Sequence, residues 1–99
     1  MALEGIEITH HDEGWRGEYR AMVPGSEAVS RLTWKARGKG VRVADHTLVP
    51  RELEGRGISA ALVEALVADS REHGFRIVPQ CSYVEAKFRR NPDWTNLRA

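Results

Sequence analysis

The sequence predicts an α+β fold: mostly antiparallel strands first, then a helix, a strand and a second helix. Three observations carry this prediction. Apolar residues recur at period two through the first half of the chain, between short turn signals. At Ile58 the period changes to that of a helix. After a short apolar run, Ser82 and Glu85 supply the Ser-x-x-Glu signature of a second helix start.

Taken in order, Ile6 and Ile8 alternate with Glu7 and Thr9 in a first strand. Arg16 to Val23 carries Tyr19, Ala21 and Val23 at period two, and Pro24-Gly25-Ser26 marks a turn. Glu27 to Ala36 carries Ala28, Leu32 and Trp34 on one face, with a lapse at Ser30, before the turn signal Arg37-Gly38-Lys39-Gly40. Val41 to Val49 opens on Val41 and Val43 and continues on Ala44, His46 and Leu48. That change of parity suggests a bulge, which re-aims side chains. Short turns between these runs favour an antiparallel meander.

Ile58, Ala61, Leu62, Ala65 and Leu66 follow i, i+3, i+4, i+7, i+8 spacing, and Ala60, Val63 and Val67 widen the apolar face. The helix is therefore expected to bury itself against the sheet. Gly74 suits the position just past its end. Phe75 to Pro79 reads as a short buried strand, so a βαβ crossover makes it parallel to Val41–Val49. In the second helix Ser82 is the expected N-cap, Val84 and Phe88 share a face, and Asn91-Pro92 ends the helix.

Composition narrows the function. With 99 residues, one domain over 1–99 is expected. A net charge of +1 gives no case for nucleic acid or acidic membranes. The single cysteine, Cys81, forbids a disulfide within the chain and fits a reducing, cytoplasmic setting. No apolar run approaches a membrane span, and Met1 to His10 lacks a signal-peptide pattern.

The chemistry concentrates at Gly55-Arg56-Gly57. No lysine follows Gly57, which excludes a Walker phosphate loop. Gly-x-Gly-x-x-Ala does match a dinucleotide fingerprint. However, the next strand ends in Val78-Pro79-Gln80 without the acid that holds a ribose. Two readings stay open on the residues alone. One is an anion site, where bare backbone and the partial positive charge of a helix start meet a phosphate, with Arg56 adding a forked donor. The other is a plain tight turn from strand to helix.

Glu54-Gly55-Arg56-Gly57-Ile58-Ser59 resembles the Gln/Arg-x-x-Gly-x-Gly/Ala motif of GNAT-type N-acetyltransferases. Asp45-His46-Thr47-Leu48-Val49-Pro50 before it, and Val78 to Val84 with Arg89-Arg90-Asn91-Pro92 after it, look like the small single-domain branch, the YjdJ-like or Gcn5-like minimal acetyltransferases. The match covers about half the chain closely, and it departs from the motif at Glu54 and Ser59. The resemblance implies a minimal GNAT fold with a splayed parallel strand pair, and acetyl-CoA as cosubstrate. Glu54, Gly55, Arg56, Gly57, Ile58 and Ser59 would form the pyrophosphate loop, with the Glu54 carboxylate turned to solvent. Backbone at Thr47, Leu48 and Val49 would pair with the pantetheine arm. No metal enters this chemistry.

Two residues are the candidates for catalysis. His46 is the candidate general base, because the unperturbed imidazole titrates near working pH and the residue ends the strand that would flank the thioester. Cys81 precedes the second helix, where a thiol pKa falls, and is a candidate acetyl acceptor or pocket residue. Tyr83 is a further proton donor to consider. His10 and His11 fall on an edge or loop, and Trp15, Trp34 and Trp94 read as core or edge packing. The expected partner is an amine on a protein or small molecule, and the expected state is a monomer or weak dimer. The rival from another class is a non-catalytic CoA-binding sensor or interaction module. Nucleic-acid binding through Lys87, Arg89 and Arg90 is disfavoured by the near-neutral charge.

Overall fold

Strands Glu7–Asp12 (β1), Arg16–Met22 (β2), Ser30–Ala36 (β3) and Val41–Leu48 (β4) form the antiparallel meander that the alternating pattern predicts. The structure is a computed structural model that describes residues 5–99, so part of the N-terminal stretch read for a leader lies outside it. Helix Ile58–His73 (α1) crosses over to strand Arg76–Pro79 (β5), which lies parallel to β4 and completes the sheet order β1-β2-β3-β4-β5. Helix Ser82–Arg90 (α2) follows, then a 3-10 segment, Pro92–Leu97.

One face of the sheet is apolar because the strand period puts Tyr19, Ala21, Leu32, Trp34 and Ala44 on the same side. Against them α1 lays Ile58, Leu62, Val63, Leu66 and Val67. Burying Leu62 and Leu66 is worth about 1.5–3 kcal/mol each, more than the roughly 1 kcal/mol that glycines at the helix entrance cost. Gly74 closes α1 in the left-handed conformation, its N–H bonded to the Ser70 carbonyl. Val84 and Phe88 of α2 join the same core, and Phe88 meets Trp94 edge-on.

Four local expectations are corrected. The third strand begins at Ser30, not Glu27, because the Ser26 hydroxyl accepts the Ala28 N–H and turns the chain there. Ser30 itself is fully buried on the apolar face, so it fills the alternation rather than breaking it. The N-cap of α2 is Cys81, not Ser82, and no side-chain cap forms. The Glu85 carboxylate that a capping box would need is taken by Arg89 and by a fork from Arg98, at 2.8 and 3.1 Å. Arg98 chiefly holds that carboxyl below its ordinary pKa. Finally, Trp15 is 62% exposed at a hairpin tip beneath the Arg16 guanidinium, whereas Trp34 and Trp94 are buried as expected.

The expected bulge is present, and its location matters. β3 and β4 shift register between Thr33 and Trp34: Thr33 faces His46, but Trp34 faces Ala44, so Asp45 is the extra residue. Ala44, His46 and Leu48 therefore do not share a face. Ala44 is buried under α1, while His46 and Leu48 are exposed.

Candidate active site

The site is built where β4 and β5 part. Their parallel ladder runs from Val41–Arg76 to Ala44–Pro79 and stops. Two features stop it. Pro79 has no N–H to continue the ladder, and the Asp45 bulge turns β4 away. A last tie, the Cys81 N–H to the Ala44 carbonyl at 2.9 Å, closes the apex. Beyond it His46 to Leu48 stay paired to β3 alone, leaving one backbone edge of β4 open toward the gap.

The far end of the gap is the glycine loop. A 3-10 turn, Arg51–Leu53, is pinned by the buried Leu53. The chain then passes through Gly55 at φ 82° and Gly57 at φ 79°, both left-handed and so suited to glycine. Gly57 is the N-cap of α1, with no capping side chain and no acidic residue in the first turn. The Ala61 N–H reaches the Gly57 carbonyl, so the amides before it have no partner within the helix. The positive end of the helix is thus bare and uncompensated. A shallow cleft of about 230 Å³ lies here, bounded by Val49, Leu53, Glu54, Ser59 and Tyr83. A Cβ placed on Gly55 would meet nothing within 4 Å, so the turn is open rather than packed shut. Glu54, Arg56 and Gly57 are exposed, Ile58 is buried in the core, and Ser59 is half-buried.

The structure brings Thr47 and Cys81 together and sends His46 elsewhere. Cys81 Sγ donates to Thr47 Oγ1 at 3.5 Å across the mouth of the gap. Burial pushes the Cys81 thiol pKa up. Hydrogen bonds from the Thr47 hydroxyl and from the amides of Val84, Tyr83 and Thr47 outweigh it, and the net shift is downward. Tyr83, 36% exposed, stands over the cleft. Leu48, 62% exposed, ends β4 beside Val49, which lines the cleft.

His46 lies on the opposite face of the sheet, in a cross-strand row with Thr33, Glu18 and His11. A pocket of about 370 Å³ covers this row and takes in Lys35 and Asp45. The Asp45 side chain is only 8% exposed, and it accepts from the Thr33 hydroxyl beside Lys35 Nζ at 3.8 Å. The sequence reading missed this pocket. Its only trace was the polar side of the period-two pattern, which any solvated sheet face shares.

A parted parallel strand pair, with a bare helix start at one end and a thiol at the other, suits a substrate carrying phosphates, an extended arm and a reactive acyl group. The family model described as GCN5-related N-acetyl-transferase matches residues 18–97. That places the chain among proteins that transfer acetyl groups. More narrowly, the chain belongs to the GCN5-related N-acetyltransferase family, in a minimal form of its fold.

Proposed function

We propose that residues 1–99 act as one acetyltransferase domain that takes acetyl from acetyl-CoA and delivers it to an amine on a protein or small molecule. The observation that carries this reading is the geometry of the gap: an unpaired β4 edge leads from an uncapped helix start to the Cys81 thiol. Bare amides from Gly55 to Ser59 suit a pyrophosphate, and Arg56 adds a full positive charge. The open edge at Thr47, Leu48 and Val49 suits an arm with amide groups, which pairs with it as an added strand. Glu54, exposed at the loop, leaves its carboxylate free to stay in solvent.

Acetyl-CoA would supply the activated thioester, and Cys81, beside Thr47 at the mouth of the gap, suits the role of acyl acceptor. The Cys81 thiolate attacks the carbonyl carbon, a new bond to Sγ forms, and the bond to the CoA sulfur breaks with its electron pair. The acceptor amine then attacks the acyl-Cys81, the C–N bond forms, and Sγ leaves as thiolate. His46 faces the other side of the sheet from the Cys81 thiol, so in this scheme the amine's proton passes to solvent water. The Thr47 hydroxyl and the first amides of α2 stabilise the sulfur in both steps.

Incubation with acetyl-CoA alone is expected to add one acetyl mass to the intact protein, at Cys81, and Cys81→Ala is expected to lose both adduct and transfer. Absence of the adduct, with transfer surviving in Cys81→Ala, would mean that the amine attacks the thioester directly. Binding of acetyl-CoA without thiol release on any of a panel of amines would favour the non-catalytic module instead.

A further inference from the structure

On the helix side of the sheet, three strands across from the gap, His10 sits at the centre of a polar network that the acetyl-transfer reading does not use. His10 belongs to the edge strand β1, and its ring is half-buried. From β3, Trp34 Nε1–H donates to His10 Nε2 at 3.0 Å. An indole nitrogen only donates, so Nε2 must carry the lone pair and the proton must sit on Nδ1. Nδ1 faces Asp69 Oδ2 of α1 at 3.6 Å. From β2, Tyr19 stacks flat on the ring, with centroids 4.1 Å apart, and donates its hydroxyl to the same Asp69 oxygen at 2.6 Å. From β4, the Arg42 guanidinium lies 4.0 Å over Trp34 and reaches Asp12 of β1. One ring thus ties the edge strand to β2, β3 and α1.

We propose that His10 is a pH-sensitive latch for β1: neutral, it accepts the Trp34 indole proton and fastens the strand; protonated on Nε2, it sets two donors head to head and lets the strand go. The clash has no local remedy, since Trp34 is 1% exposed and its N–H has no water to turn to. The surrounding charges agree in balance. Burial and the charges of Arg42 and His11 oppose protonation, Asp69 and Asp12 favour it, and the net shift of His10 is below its ordinary value. Tyr19 does not compete, because burial first and the Asp69 hydrogen bond second push its pKa far upward and keep it a donor.

The sign follows from that direction. The latched histidine binds a proton less readily than a free one, so latching is at full strength above the ordinary histidine pKa and is lost as pH falls through the latched value. With one proton coupled, opening rises by up to about tenfold per pH unit through that range. The consequence reaches the far face of the sheet. His11, the next residue, points there and walls the pocket that contains His46, so release of β1 takes down that wall. The latch stands whether or not the acetyl-transfer reading does.

The test is an NMR titration from pH 7.5 to 5 with amide exchange corrected for the intrinsic effect of pH. The Trp34 indole proton is expected to shift with the His10 titration, and β1 amides to lose protection up to about tenfold per unit while β3 and α1 hold. His10→Gln, whose side-chain oxygen still accepts from Trp34 but does not titrate, is expected to abolish this pH dependence. Trp34→Phe removes the opposing donor and is expected to raise the His10 midpoint. An indole proton that ignores the His10 titration, an unchanged midpoint in Trp34→Phe, or the same pH-dependent opening in His10→Gln overturns the proposal.

Discussion

The two halves of β4 belong to one strand and behave differently. From Val41 to Ala44 the strand is hydrogen-bonded on both sides, and Arg42 is held between the rings of Trp34 and Phe75, at 4.0 and 4.1 Å. Past the Asp45 bulge, from His46 to Leu48, it is bonded on one side only, and its last residue is 62% exposed. One inserted residue and one proline account for the change. The lesson is that a free backbone edge need not lie at the border of a sheet. It can be opened inside one, where the closed half holds the geometry that the open half needs.

That contrast is tested most severely at the end of the open half. Gly57→Asp places a carboxylate at the bare start of α1 and forces a left-handed conformation that costs about 1–2 kcal/mol in a residue with a Cβ. We expect acetyl-CoA affinity to fall about 100-fold by calorimetry, near 3 kcal/mol with the charge effect included. Gly57→Ala, which carries the strain without the charge, should lose about tenfold. Equal losses in the two variants would show that conformation, not the helix-end charge, governs the site.

Deleting Asp45 bears on the cause of the opening. Trp34–Ala44 and Thr33–His46 then become successive pairs of a regular ladder, so the fold can survive while the bulge disappears. Weaker acetyl-CoA binding, by about tenfold, is expected together with greater exchange protection from Ala44 to Thr47. Unchanged binding in the shortened protein would assign the whole opening to Pro79.

The smallest effect is expected within the gap. The Cys81 thiol titrates below its ordinary value despite burial, because Thr47 and the α2 amides hold the thiolate. Thr47→Val removes one of those donors at nearly constant shape. Alkylation by iodoacetamide as a function of pH should move its midpoint upward, slowing reaction a few-fold at neutral pH, and Thr47→Ser should restore it. A midpoint that stays put in the valine variant would leave the backbone amides as the cause.

Much of this was legible in the residues, because periodicity reports which side of an element is apolar. The meander, the crossover helix and its Gly74 stop all follow from spacing. The bulge too was visible, as a change of parity in β4, but the apolar residues alone misplaced it. Ala44, His46 and Leu48 look like one face, and only the pairing with β3 reveals that Asp45 is the residue left over. The capping box failed for a related reason. Arg98, thirteen residues beyond Glu85, offers a forked cation that a local motif cannot anticipate. The family resemblance points to Thr47 for its backbone, yet its hydroxyl also meets Cys81, which requires knowing that two strands end side by side. The network around His10 joins five elements and leaves no mark on any one of them.

The tail of the chain bears on what can add to this sheet. After the 3-10 segment, Arg98 bridges in parallel to Ile77, and the Ala99 N–H reaches the Ile77 carbonyl at 2.8 Å. The rim of β5 is thereby fenced by the protein's own backbone, and the Arg98 fork on Glu85 clamps the fence. Edge-to-edge stacking of two sheets, the usual hazard of a bare border strand, is blocked on that side. An extended molecule approaching on that side meets backbone already paired at Ile77 rather than an open border.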